Sequence, residues 1–136
     1  TVNKNICCDI AVLKLFPGMS TNVLKSVLQT KGLKGLVLET FGSGNASAKP
    51  EFLETLSQAV REGLVIVNIT QCMSGKVEQS LYETGRGIEQ AGVIGGSDMT
   101  TEAAVTKLMY LLGRYDGDTE TVKKLFSTNL RGELSN

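Results

Sequence analysis

The chain contains no histidine. That removes the commonest general base and the commonest transition-metal ligand together, so no metal site is expected. Cysteine is scarce: Cys7, Cys8 and Cys72. An odd count without a disulfide framework suits a reducing cytoplasm. The adjacent Cys7 and Cys8 should point to opposite faces of a strand, as small buried hydrophobes. Charge of either sign in excess is also missing, with 14 Lys+Arg against 14 Asp+Glu. That balance leaves no basic footprint for nucleic acid and no cationic patch for an anionic membrane. No apolar run approaches the ~20 residues of a membrane helix, and no signal-peptide pattern opens the chain.

What is present fits one soluble α/β domain covering residues 1–136. The 136 residues are 41% apolar and 21% charged. A chain of this length buries about two-thirds of its unfolded surface, enough for a real core. It starts at Thr1, without an initiator Met, a few residues before a strong strand pattern. It therefore reads as a piece of a longer protein with a partner domain upstream.

Residues 6–16 alternate in a β-rich run and stop at Pro17-Gly18. Ser20 or Thr21 can cap a helix to about residue 30, with Val23, Leu24, Val27 and Leu28 on one face. Residues 35–41 form a second strand. Pro50 opens a second helix carrying Phe52, Leu53, Leu56 and Val60, closed by Gly63. Residues 64–69 are almost wholly β-branched or Leu, as in a strand covered on both faces. Val93-Ile94 is a short fourth strand. Thr100 or Thr101 caps a helix to about residue 112, and Asp118 or Thr119 caps a last one to about residue 128. Strands alternating with helices specify βαβ units. The expected architecture is a Rossmann-like three-layer α/β domain, about four mostly parallel strands with helices on both faces.

In such a sheet the loops after strands two, three and four share one edge, where open α/β sheets bind ligands. They are residues 42–47, 70–75 and 95–98, all small and polar. They offer Ser43, Asn45, Thr70, Gln71, Cys72, Ser74, Ser97 and Asp98 with many backbone donors, a cradle for a small polar ligand. Residues of these types also simply end strands in any α/β domain, so both readings stand. More specific motifs fail. Gly42-Ser43-Gly44 does not open a G-x-G-x-x-G helix, and Ser74-Gly75-Lys76 lacks the upstream glycine of a phosphate loop. Cys72 has no histidine to activate it. Asp98 and Lys107 could pair as acid and base, but Asp98 suits a helix start and Lys107 is expected to face solvent.

Four collinear segments carry a resemblance: GLVLETFGSGNAS, LVIVNITQCMSGKV, AGVIGGSDMTTEAAVTKLMYLLG and NLRGEL. In this order and spacing the chain closely resembles the C-terminal domain of cytoplasmic (type I) L-asparaginase. The resemblance implies an enzyme that hydrolyses L-asparagine to L-aspartate and ammonia without a cofactor. It places the threonine nucleophile, its helpers and the oxyanion hole in a larger N-terminal domain, so no catalytic residue is assigned here, Thr100 and Thr101 included. The C-terminal domain would supply a homodimer or homotetramer interface and complete the neighbouring subunit's site. Asn45, in the GxGN loop, would approach the substrate's α-amino end. A separate allosteric asparagine site would be lined by Glu39, Asn45, Thr70, Cys72 and Ser97. An allosteric bacterial relative carries arginine at the position of Glu39 and alanine at that of Ser97. Arginine can hold a carboxylate bidentately, and glutamate repels it. Either the regulatory role is lost here, or the ligand turns its amino group toward Glu39. The alternative from another class is a free-standing regulatory α/β domain that binds a small ligand.

Overall fold

The computed structural model describes residues 6–16, 18–40, 49–70, 88, 90–96 and 99–128. In chain order the elements are β1 (Ile10–Lys14), α1 (Thr21–Leu28), β2 (Gly35–Thr40), α2 (Pro50–Arg61), β3 (Val65–Thr70), β4 (Ile94–Gly95), α3 (Thr101–Arg114) and α4 (Thr119–Phe126). The four strands make one sheet in the order β1-β2-β3-β4, and every pair is parallel. This is the three-layer α/β class read from the sequence.

The helices start where side chains can take their unpaired N–H groups. Ser20 accepts from the Asn22 N–H, Thr100 from that of Ala103 and Asp118 from that of Thr121. Of each alternative pair of caps, the upstream residue is the one used. Helix α2 has no side-chain cap and opens instead on Pro50, whose missing N–H costs a helix nothing there. Just past its end at Arg61, Gly63 holds φ at 103°, a left-handed value that glycine adopts without a Cβ penalty.

Side-chain alternation splits the core in two. Leu36 and Leu38 of β2 and Ile66 of β3 face α1 and α2, packing with Leu24, Phe52 and Leu56. Val37, Val65, Val67 and Ile69 face the opposite way, against Leu108 and Leu111 of α3 and Val122 and Phe126 of α4. The first of these faces is termed the crossover face and the second the terminal face. Right-handed crossovers between neighbouring parallel strands all return on the same side, which is why α1 and α2 share a face. Each fully buried Leu or Phe contributes about 1.5–3 kcal/mol relative to exposure. Gly35 lets α3 sit close on the terminal face: a Cβ there would lie 2.8 Å from Leu108 Cδ2 and from Ile10 Cγ2.

Three expectations need correction. The first strand covers Ile10–Lys14 and not residues 6–16. Its partner β2 begins at Gly35, opposite Ile10, so the preceding residues have no ladder to join. Cys8 is therefore exposed, and Cys7 is only half-buried against the terminal-face core. Lys107 does not face solvent. It is 7% exposed, donates from Nζ to the Thr128 carbonyl, and sits 5.5 Å from the Phe126 ring centroid. The stretch after α4 folds back on it, so the charged end finds a carbonyl and an aromatic face in place of water. Among the described residues no helix is long and apolar enough to cross a membrane.

Candidate functional site

The carboxyl ends of β2, β3 and β4 lie along one edge, as the parallel order requires. Of the residues expected there, Glu39 is on β2 and the Thr70 backbone closes β3, in register with Thr40. Asn45, Cys72, Ser97 and Asp98 lie outside the described residues. The structure thus brings Glu39 and the end of β3 to the same edge.

Glu39 points to the terminal face, the side of Val37. Its Oε2 accepts a hydrogen bond from Thr101 Oγ1, at the first turn of α3. A carboxylate is favoured there because the first turn of a helix carries unpaired N–H groups and partial positive charge. The Thr101 hydroxyl is thereby oriented toward a carboxylate. A hydroxyl nucleophile needs a base and a group that orients the base; one hydroxyl on one carboxylate is instead an anchor for the helix start.

Next to it on β2, Thr40 faces the other way and is fully buried. Its Oγ1 donates to the Ile69 carbonyl at 3.0 Å, pinning the last residue of β2 to β3. On the far side of β3, the Gly96 N–H donates to the Asn68 carbonyl at 2.7 Å and the Met99 N–H to the Gly96 carbonyl at 3.0 Å. A Cβ on Gly96 would stand 2.6 Å from Ile69 Cγ2, so only glycine lets the chain pass this close to β3. The edge is therefore rigidly tied at three points: Glu39 to α3, Thr40 to β3, and Gly96 to β3.

Sequence reasoning does not mark Thr40 or Thr101 as site residues. Thr40 carries a signal, a hydroxyl at the end of a mostly apolar strand. Thr101 meets Glu39 across 62 positions of chain, which no local pattern encodes.

Three titrations are shifted at the opposite edge of the sheet. Lys34 is raised by its hydrogen bond and ion pair with Asp116, and Arg114 is raised mainly by hydrogen bonding to Tyr115. Asp118 is lowered by the Thr121 hydroxyl and N–H. All three are at the start of β2 or around the turn between α3 and α4, at the opposite edge. A cleft of about 290 Å³ opens there too, between Leu33, Lys34, Leu64, Leu112 and Asp116. Among the described residues no group of His, Cys, Asp and Glu could hold a metal ion.

Comparison with known proteins places this four-strand domain in a family. Residues 9–126 match the glutaminase/asparaginase C-terminal domain. The chain belongs to that family. L-asparaginase 1 of Escherichia coli K12 is 49% identical over 126 residues, which are 93% of this chain and 37% of that protein. The human 60 kDa lysophospholipase is 45% identical over 134 residues, 98% of this chain and 23% of that protein. The crystal structure of L-asparaginase I from Vibrio cholerae superposes with a TM-score of 0.87 at 42% identity, over 94% of this chain and 38% of that one. The chain thus spans under two-fifths of the length of each of these relatives.

Proposed function

We propose that this chain is the C-terminal part of a cytoplasmic, cofactor-independent amidohydrolase that converts L-asparagine and water to L-aspartate and ammonia. The observation that carries this is the family match over residues 9–126 together with 49% identity to an L-asparaginase. In this reading the bond-breaking groups sit upstream. A hydroxyl nucleophile there attacks the side-chain amide carbon, ammonia leaves, and water releases aspartate from the ester intermediate. This chain contributes recognition. Asn45 offers its amide to the α-amino end of substrate bound in a neighbouring subunit of a homodimer or homotetramer. Glu39, Asn45, Thr70, Cys72 and Ser97 line a second asparagine site, with Glu39 facing the ligand's ammonium group.

Support for the recognition role comes from what the edge holds: a carboxylate already committed to Thr101, hydroxyls, and a glycine-tight backbone. Those groups suit a zwitterion better than they suit catalysis. The test compares the 136-residue chain with the full reading-frame product that contains it, measuring ammonia released from L-asparagine. The chain alone is expected to release none and the longer protein to turn over. Turnover by the chain alone would overturn the upstream placement of the chemistry. A longer protein that binds a small ligand without hydrolysing asparagine would favour the regulatory-domain reading. Within an active longer protein, Asn45→Ala is expected to lower kcat/KM; an unchanged value would leave Asn45 a loop-shaping residue only.

A further inference from the structure

The large apolar side chains that the described residues expose fall in one stretch of chain: Ile6 at 53%, Val12 at 45%, Phe16 at 57% and Val23 at 43%. The first three lie on or beside β1, which is an edge strand of the sheet. Among the described residues β1 pairs with β2 alone.

The backbone of β1 shows which groups look outward. The Asp9 carbonyl accepts from the Lys34 N–H, and the Leu15 N–H donates to the Glu39 carbonyl. Odd-numbered residues therefore turn their main-chain groups toward β2. By the alternation of a strand, Ile10, Val12 and Lys14 turn theirs to the open edge. The same even-numbered residues carry side chains on the terminal face. Ile10 is partly covered there and packs with the α3 core, whereas Val12 is left bare. An unpaired edge and uncovered apolar side chains coincide on one strand. Soluble proteins avoid that combination because it recruits other strands.

We propose that the open edge of β1, with the Ile6, Val12 and Phe16 surface, seats a segment of the same polypeptide upstream of Thr1, paired along β1 and packed on those side chains. This rests on the reading of the chain as the C-terminal part of a longer protein. The family matched is a C-terminal domain, and the Vibrio cholerae relative has most of its length outside the matched part. Polypeptide arriving from that side meets β1, the first element, before any other. A second copy is the poorer occupant. It would have to offer the same five-residue strand, so its pairing would depend on protein concentration.

Amide hydrogen exchange tests this on the 136-residue chain and on the full reading-frame product. In the longer protein the Ile10, Val12 and Lys14 amides are expected to exchange at least about tenfold more slowly, while Ala11 and Leu13, already turned to β2, change less. Equal exchange in both proteins, equal slowing of odd and even amides, or a reading frame with nothing upstream would overturn the proposal. Slowing that appears in the short chain as its concentration rises would overturn it in favour of a second copy. Val12→Lys is expected to lower the melting temperature of the longer protein only; the same drop in both would mean Val12 is packed within this chain. Asparagine hydrolysis is read on the same longer protein. Protection of β1 without hydrolysis keeps the docking and sinks the proposed function, and hydrolysis without protection does the reverse.

Discussion

The two faces of the sheet are covered by different rules. On the crossover face, α1 and α2 are the connections between neighbouring strands, so their placement follows from strand order alone. Among the described residues, the terminal face is covered by the two helices after the last strand, α3 of 14 residues and α4 of eight. Those two helices reach β2 and β3 fully and fade at β1, where Val12 and Phe16 stay exposed. The strand order also shapes the candidate site. Helix α2, which follows β2, packs on the crossover face and α3, which follows β4, on the terminal face, so the carboxyl edge lies between the two layers, with Glu39 anchoring α3 through Thr101.

If the terminal helices are as integral as the crossovers, equivalent truncations on the two faces should cost alike. Phe52 in α2 is 1% exposed and Phe126 in α4 is fully buried. Phe52→Ala and Phe126→Ala are each expected to lose about 3–5 kcal/mol by denaturant titration, in one cooperative transition. A cost under about 1 kcal/mol at Phe126, with the sheet amides still protected, would make α3 and α4 a detachable layer.

Most of this division was legible in the sequence because it rests on local signals. The apolar runs at residues 36–38 and 65–67, the caps Ser20, Thr100 and Asp118, and the closing glycine Gly63 each act within a few residues of chain. The misses were tertiary. Lys107 lies on a helix that looks amphipathic, yet its ammonium meets Thr128, 21 residues on. Strand β1 is shorter than its alternation because a ladder extends only as far as its partner does. At the candidate edge, Glu39 was readable as a carboxylate at a strand end, and its bond to Thr101 was not. The bond depends on α3 starting over β2, which follows from strand order and not from either residue.

Lys107 gives a sharper, smaller test of the terminal face, since it ties α3 to Thr128, just beyond the end of α4. Lys107→Met keeps the buried stem and removes the charged donor. The expected loss is about 1.5–3 kcal/mol, the usual worth of a hydrogen bond involving a charged group. Faster amide exchange should be confined to the end of α4, leaving α1 and α2 unaffected. An unchanged or higher stability would mean that Phe126 burial alone holds α4. Replacing a buried charge by an apolar side chain can come out neutral.

The smallest effect concerns the other end of α4, where Asp118 caps the helix through the Thr121 N–H at 3.2 Å and the Thr121 hydroxyl at 2.6 Å. Helix α2 on the crossover face opens on proline without a side-chain cap, so acid should distinguish the two faces. Those bonds favour the ionised carboxyl and hold Asp118 below its ordinary value. A group lowered in the folded state contributes stability above its unfolded pKa, about 3.9, and loses it as pH falls through the folded value. Asp118→Asn keeps a capping oxygen but does not titrate. The wild type is therefore expected to melt higher than the Asn variant near neutrality, and the gap should close as pH drops from about 5 to below 3. A gap that stays constant across that range would show that Asp118 caps α4 by shape and hydrogen bonding alone, with no share for its charge at the positive end of the helix.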